Sequence, residues 1–308
     1  MTFVTLGEAL IDLAPAGGGP LQSAETLTLQ PGGAPFNVAI GLRRLGERVR
    51  FAGALSDDPF GQRLMEQLTA EGIEHVPAQP VAAPTRLALV DHSPGGAGFR
   101  FYGERPADAR ITRADVELAL SPGASGLYVS SLMLLDTRAG EVQQHAVQLA
   151  TTRGLPIFTD PNPRPPAWAN GSLMRAAVIW LLGQATLAKL SLDDARGLGW
   201  PAEPLTLLRF AAERFPTQLV VTDGPNGCWT VIDGRVIQQQ GFAVELVDPT
   251  GSGDAFFAAL IRRHLANGRL SPADLRFAAA AGALAASSLG AVAGLPTDTQ
   301  VAAFLDRR

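Results

Sequence analysis

Val247-Asp248-Pro249-Thr250-Gly251-Ser252-Gly253-Asp254-Ala255-Phe256-Phe257 decides how this chain reads. Two glycines and a serine lead straight into an apolar, Ala-rich run of helical character. Glycine lets backbone N–H groups point at a bound anion with no Cβ in the way. A helix start adds unpaired N–H donors and a partial positive charge. The same turn delivers the carboxylate of Asp254 to the mouth of that site. An anion hole beside a general base is what phosphoryl transfer to a hydroxyl needs. Asp254 is therefore the candidate base, with Gly251, Ser252 and Gly253 as candidate donors. An acidic residue in a first helical turn is also favourable with no chemistry attached, so the stretch needs support from elsewhere.

A second glycine motif supplies it: Gln30-Pro31-Gly32-Gly33-Ala34-Pro35-Phe36-Asn37-Val38-Ala39-Ile40-Gly41-Leu42-Arg43-Arg44-Leu45-Gly46. Pro35 suits a first helical position, and apolar residues then recur at helical spacing. Gly46 closes the helix. Gly32 and Gly33 permit close backbone approach to a ligand, and Asn37 offers a donor and an acceptor one turn later.

The two motifs together resemble the carboxy- and amino-terminal signatures of the ribokinase-like, PfkB-type carbohydrate kinases, closest to fructokinases. Gly7-Glu8-Ala9-Leu10-Ile11-Asp12 is similar to that family's opening strand, and Gly53-Ala54-Leu55-Ser56-Asp57-Asp58-Pro59-Phe60-Gly61 to its next strand–helix joint. Thr159-Asp160-Pro161-Asn162-Pro163-Arg164 resembles its Asp-Pro-Asn-x-Arg segment, and Gly290-Ala291-Val292-Ala293-Gly294-Leu295-Pro296-Thr297 its tail. The resemblance runs in order along essentially the whole chain. It implies a three-layer α/β/α fold with a mostly parallel sheet and a small β lid, residues 1–308 forming one kinase domain.

Composition agrees with an enzyme of that size. The chain has 308 residues, 46% of them hydrophobic and 18% charged, enough apolar material for a large core. Its net charge of −4 and lack of a basic run point away from nucleic acid. Any phosphate site must come from local geometry. The lone Cys228 excludes an intramolecular disulfide and fits a cytoplasmic protein with a buried structural thiol. The start lacks a basic, apolar leader, and the Ala-rich run from Phe277 to Leu289 is too short to cross a bilayer. The four histidines show no metal spacing. A Walker-type Gly-x-x-x-x-Gly-Lys-[Ser/Thr] and a dinucleotide fingerprint after the first strand are both absent from the sequence.

Pattern reading places strands at 3–7, 49–54, 126–130, 156–160, 178–182 and 218–222. It places helices at 35–45, 59–71, 113–120, 137–151, 204–214, 254–266 and 272–288. Asp58-Pro59, Thr112–Asp115 and Ser271–Asp274 carry start signals. The alternation breaks at about 12–30, where Leu27-Thr28-Leu29 suits a short strand, and at 85–110. There 85–90 and 99–102 flank Pro94-Gly95-Gly96-Ala97-Gly98 as a hairpin. These segments are the expected lid, which would exclude water from the reaction. An exposed lid strand would favour a homodimer.

The resemblance also assigns roles. Asp12, Gly32, Gly33 and Asn37 match positions that meet sugar hydroxyls, with Arg164 and Arg100 as further sugar- or phosphate-side candidates. Lys189, Ser191, Thr222, Gly224 and Gly227 fall on the nucleotide side. Asp194 would organise Mg²⁺ through water, and Asp248 would help hold a monovalent cation, K⁺, with carbonyls near Gly290. Ser191 and Asp194 stand where the family has Asn and Glu, Ser252 where it has a smaller residue, and Pro249 where Thr is common. The adenine-side Asn of the late helix is replaced within Phe277-Ala278-Ala279-Ala280. The implied activity is ATP-dependent phosphorylation of a sugar, D-fructose to fructose 6-phosphate, with no nucleic acid or membrane partner. The acceptors 2-keto-3-deoxygluconate, ribose and aminoimidazole riboside stay open, as does a non-catalytic sugar or nucleotide sensor.

Overall fold

Strand β1 (Thr2–Leu6) is buried at every position from Phe3 to Leu6. Phe3 joins the hydrophobic core on one face of the sheet, and Val4 and Leu6 join the core on the other. A strand buried on both faces belongs in the middle of a sheet covered by helices on both sides. The computed structural model, which describes residues 1–17, 19–91 and 98–308, shows that arrangement.

The central sheet has nine strands among the described residues. In spatial order they are β13 (Arg235–Gln239), β12 (Cys228–Ile232), β11 (Gln218–Thr222), β10 (Leu187–Ser191), β9 (Ile157–Thr159), β8 (Ala124–Val129), β1, β4 (Val49–Ala52) and β5 (Glu74–Val76). All neighbours pair in parallel except the hairpin edge, where β12 is antiparallel to both β11 and β13. One face is covered by α1 (Ala34–Arg44), α2 (Pro59–Ala70), α8 (Ser252–Asn267), α9 (Pro272–Ala286) and α10 (Asp298–Leu305). The other is covered by α3 (Arg113–Ala119), α4 (Thr137–Thr152), α5 (Gly171–Gln184), α6 (Leu192–Leu198) and α7 (Pro204–Ala212).

A second sheet carries β3 (Leu27–Gly32), β2 (Leu10–Pro15), β6 (Arg86–Asp91) and β7 (Gly98–Tyr102) in that order. Asp12 sits directly across from Gln30, and Leu87 across from Tyr102. Phe99 and Phe101 of β7 pack with Leu10, Ala88 and Leu132, which lays this sheet over the end of the larger one. The residues expected at the hairpin turn, Pro94 to Ala97, lie outside the described residues.

The three-layer fold with its β lid is therefore as the sequence implied. Residues 178–182 are a correction: they lie inside α5, not in a strand. Asn170 caps that helix through Ser172 and Leu173 N–H, and Met174, Val178, Leu181 and Leu182 form its buried stripe at helical spacing. The run Val178-Ile179-Trp180-Leu181-Leu182 is apolar all round, so its periodicity was ambiguous. The strand at this place in the sheet is β10, which pattern reading passed over, together with α6 and α10.

Candidate active site

Parallel strands end on one edge of the sheet, and side chains just beyond those ends converge there. Glu8 follows β1, Ser130 follows β8, Asp160 follows β9 and Ser191 ends β10; all four line a cleft of about 380 Å³ beneath the lid. A larger groove of about 520 Å³ runs between the end of α9 and α10. It holds none of the candidate residues, so the smaller cleft is the candidate site.

Helix α8 starts at this cleft. Its N-cap is Gly251, at φ +79°, where a Cβ would lie 2.8 Å from the Cα and carbonyl oxygen of Ala291. Only glycine fits that left-handed, crowded position. Ser252 N–H turns back to the Pro249 carbonyl at 3.1 Å, and its hydroxyl bonds the same oxygen at 2.7 Å. The expected donor role of Ser252 is thus taken up inside the turn. First-turn N–H groups of a helix have no intrahelical partner, which leaves Gly253 and Asp254 facing the cleft.

Asp254 is buried, and its Oδ2 accepts from Asn37 Nδ2 at 2.8 Å. Residues 217 apart in sequence thus meet where α1 crosses α8. Burial lifts the Asp254 carboxyl to about 7; the Asn37 hydrogen bond and the charges of Lys189 and Arg164 oppose the shift, and Asp160 adds to it. Burial likewise lifts Asp12 to about 7, against Arg164. A pKa near the working pH is what a general base requires.

Gly33 follows β3, the strand that carries Gln30, and is the N-cap of α1. It holds φ +108°, and a Cβ there would lie 2.6 Å from the Glu8 carbonyl oxygen. The turn brings Asn37 up to Asp254. Arg164 is in the left-handed region at φ +46°, with Asn162 two residues earlier at φ +44°, and both line the cleft. Non-glycine residues held there carry strain that tertiary structure must impose. The Arg164 guanidinium stacks on Phe99 of the lid at 4.4 Å and is electrostatically coupled to Asp12, Asp160 and Asp254.

Lys189 is buried in the cleft, with Nζ 2.9 Å from Asp160 Oδ2. The ammonium also lies 3.4 Å from where a Gly253 Cβ would be, so it faces the start of α8. Burial opposes its charge, but the Asp160 and Asp194 carboxylates prevail and hold its pKa above the ordinary value. The second oxygen of Asp160 is buried without a partner among the described residues.

Asp12, Gly33, Asn37, Arg164, Lys189, Ser191, Asp194, Gly251, Gly253 and Asp254 thus share one cleft. Asp194 Oδ2 is engaged in a capping box with Ser191, accepting from its N–H at 3.2 Å and its hydroxyl at 2.6 Å. Asp248 stands apart as a clamp: one oxygen accepts from Thr250 N–H and the other from Gly290 N–H, both at 2.9 Å. It ties the glycine turn to the tail. Thr222 pairs with Ser191 at the sheet edge, and Gly224 and Gly227 flank the turn into β12; none of these lines the cleft. Gly32 is buried against Asp12. Arg100 is exposed on β7 between the cleft-lining Phe99 and Phe101, so strand alternation turns it away from the cleft.

Glu8, Ser130, Asp160 and Asn162 are cleft residues outside the sequence-based set. Their shared signal is position one to three residues past a core strand, legible only once the strands are placed.

A lidded cleft at the ends of parallel strands, with a buried carboxylate in the first turn of a helix that starts there, fits the α/β phosphotransferases that act on an alcohol group. Comparison with known proteins narrows the class. Residues 2–298 match the model of the pfkB family carbohydrate kinases. Fructokinase-1 of Oryza sativa subsp. japonica is 31% identical, with 98% of this chain and 97% of the relative aligned. The crystal structure of fructokinase from Vibrio cholerae O395, bound to fructose, ADP and calcium ion, superposes with a TM-score of 0.85 at 30% identity over 99% of both chains. A putative ribokinase II from E. coli in complex with ATP and Mg²⁺ gives 0.87 at 24% identity over 100% of both chains, which speaks to the ribokinase-like fold. The chain belongs to the pfkB family of carbohydrate kinases and is a sugar phosphotransferase.

Proposed function

We propose that the chain transfers the γ-phosphate of ATP to D-fructose, giving fructose 6-phosphate. The observation that carries the kinase chemistry is Asp254: buried, lifted to about 7, oriented by Asn37, and in the first turn of the helix whose free N–H groups face the cleft. Asp254 takes the proton of the acceptor hydroxyl as that oxygen attacks phosphorus. The transition state spreads negative charge over the transferring group, which preorganised N–H donors and the Lys189 ammonium stabilise. Asp12 and Asn37 hold sugar hydroxyls, and Arg164 spans the sugar and the transferring phosphate.

The site's donor set fits a nucleoside triphosphate. Gly253 leaves the helix start open, and the Lys189 ammonium faces it. Asp160, with one buried oxygen unpartnered, and Asp194, also lining the cleft, would hold a hydrated Mg²⁺. When bound, that ion neutralises charge building on the phosphates. K⁺ belongs to the same proposal, at the Asp248 clamp between the glycine turn and the tail. So does a homodimer through the lid, whose edge strands β3 and β7 carry the exposed Leu29 and Tyr102.

Fructose is favoured by the named activities of the rice and Vibrio relatives. A coupled ADP-release assay over a sugar panel is the test. Fructose is expected to exceed glucose, ribose and 2-keto-3-deoxygluconate by at least about tenfold in kcat/KM, because unmatched polar groups in a buried site are costly. A different winner overturns the substrate and leaves the kinase. No ADP with any sugar would favour a binding role instead.

A further inference from the structure

Glu8 has no part in the chemistry above, yet it is only 3% exposed and lines the cleft. Ser130, also a cleft residue, donates its hydroxyl to Glu8 Oε2 at 3.3 Å. Ser130 is itself fixed, since its carbonyl accepts from Gln143 Nε2 at 2.9 Å. The main chain of Glu8 backs Gly33, the glycine that starts the sugar-side helix. The carboxyl is thus held by Ser130, while the backbone that carries it abuts the start of α1.

Its surroundings place it away from the reacting end. The charged groups facing Glu8 are Arg86 on β6 and Asp108, which form a buried ion pair at 2.8 Å. The Tyr128 hydroxyl of β8 lies between Glu8 and Asp254: it is electrostatically coupled to Asp160 and Asp254 first and then to Glu8, and is buried without a partner among the described residues. Asp254 instead faces Asp160, Lys189 and Arg164. The cleft also has an apolar wall, formed by Leu10, Leu132, Phe99 and Phe101.

Ser130 engages one oxygen of this carboxyl, and the group still lines the cleft. Burial lifts Glu8 to about 8, so at neutral pH it carries both an O–H donor and a carbonyl acceptor, the pair that matches a hydroxyl. We propose that Glu8 is a specificity-determining residue that reads the acceptor's hydroxyl at the end of the sugar remote from the phosphorylated carbon. In a ketohexofuranose phosphorylated at C6, that group is the hydroxymethyl arm on the anomeric carbon. A five-carbon aldose lacks the arm. The inference rests on the sugar-kinase reading above.

The test compares Glu8→Met, which keeps volume and removes both polar oxygens, with Glu8→Gln, which keeps a donor and an acceptor. Each is assayed with the best wild-type acceptor and with its deoxy analogue at the remote carbon, 1-deoxyfructose in the case of fructose. Wild type is expected to prefer the parent sugar by about tenfold or more in kcat/KM. Glu8→Met is expected to bring the ratio to within about twofold of one, through loss on the parent sugar and with KM for ATP unchanged. Glu8→Gln is expected to recover a preference of several-fold. A merely structural Glu8 would lower both sugars equally, and that outcome overturns the proposal, as does an undiminished preference in Glu8→Met. A wild type that prefers another sugar sinks the fructose reading alone. One that releases no ADP with any sugar sinks both.

Discussion

Replacing Asp254 by Asn should inactivate the enzyme and make it more stable. The folded carboxyl titrates at about 7, against an ordinary value of 3.8. As pH rises from 3.8, the unfolded chain loses this proton first while the folded chain keeps it. Stability therefore falls through that window, and the full penalty is present above pH 7. A difference of just over three units corresponds to roughly 4 kcal/mol at pH 8. Asn cannot ionise and escapes the penalty. Its amide oxygen can accept from Asn37 Nδ2 as the carboxylate oxygen does. Unfolding entropy near 2 cal/mol/K per residue is about 0.65 kcal/mol/K for 308 residues, so the gain should raise Tm by about 6 °C. Loss of the base should lower kcat by roughly 10²–10⁴. The assays are coupled ADP release and calorimetry at pH 8. In the wild type, kcat/KM should climb with pH to a plateau above about 7, as the base loses its proton. More than half the wild-type rate in Asp254→Asn removes Asp254 from the mechanism. An unchanged or lower Tm refutes the buried-charge argument.

Lys189→Met leaves the buried Asp160 without its counter-charge and should destabilise by about 3–5 kcal/mol in denaturant unfolding. Adding Asp160→Leu should restore most of that loss; if it does not, the pair is not the cause. Asp248→Ala frees the N–H groups of Thr250 and Gly290, so the glycine turn loses its tie to the tail. Wild-type turnover is expected to rise when K⁺ replaces a bulky organic cation at constant ionic strength, and Asp248→Ala to lose that response; equal rates in both cations leave Asp248 as a clamp only.

The sequence by itself determined the layered fold and singled out the carboxylate proposed as the base. Short apolar, β-prone runs such as Thr2–Leu6, caps such as Asp58-Pro59, and the glycine turn before α8 are local signals, because backbone geometry at those points is set by neighbours in the chain. They located Asp254, Asn37 and Asp12 with no contact known. Where the local signal was degenerate, reading failed: Val178–Leu182 is apolar on every side, and only burial of one stripe of α5 decided for helix. Tertiary structure alone decided which side chains share the cleft. It brought Asn37 to Asp254 across 217 residues, turned Ser252 N–H into its own loop, and closed Asp194 into a cap. It also turned Arg100 outward and drew Glu8, Ser130 and Asp160 inward from three separate strand ends. These facts depend on sheet order and strand register, which join distant segments and leave no mark at any one position in the sequence.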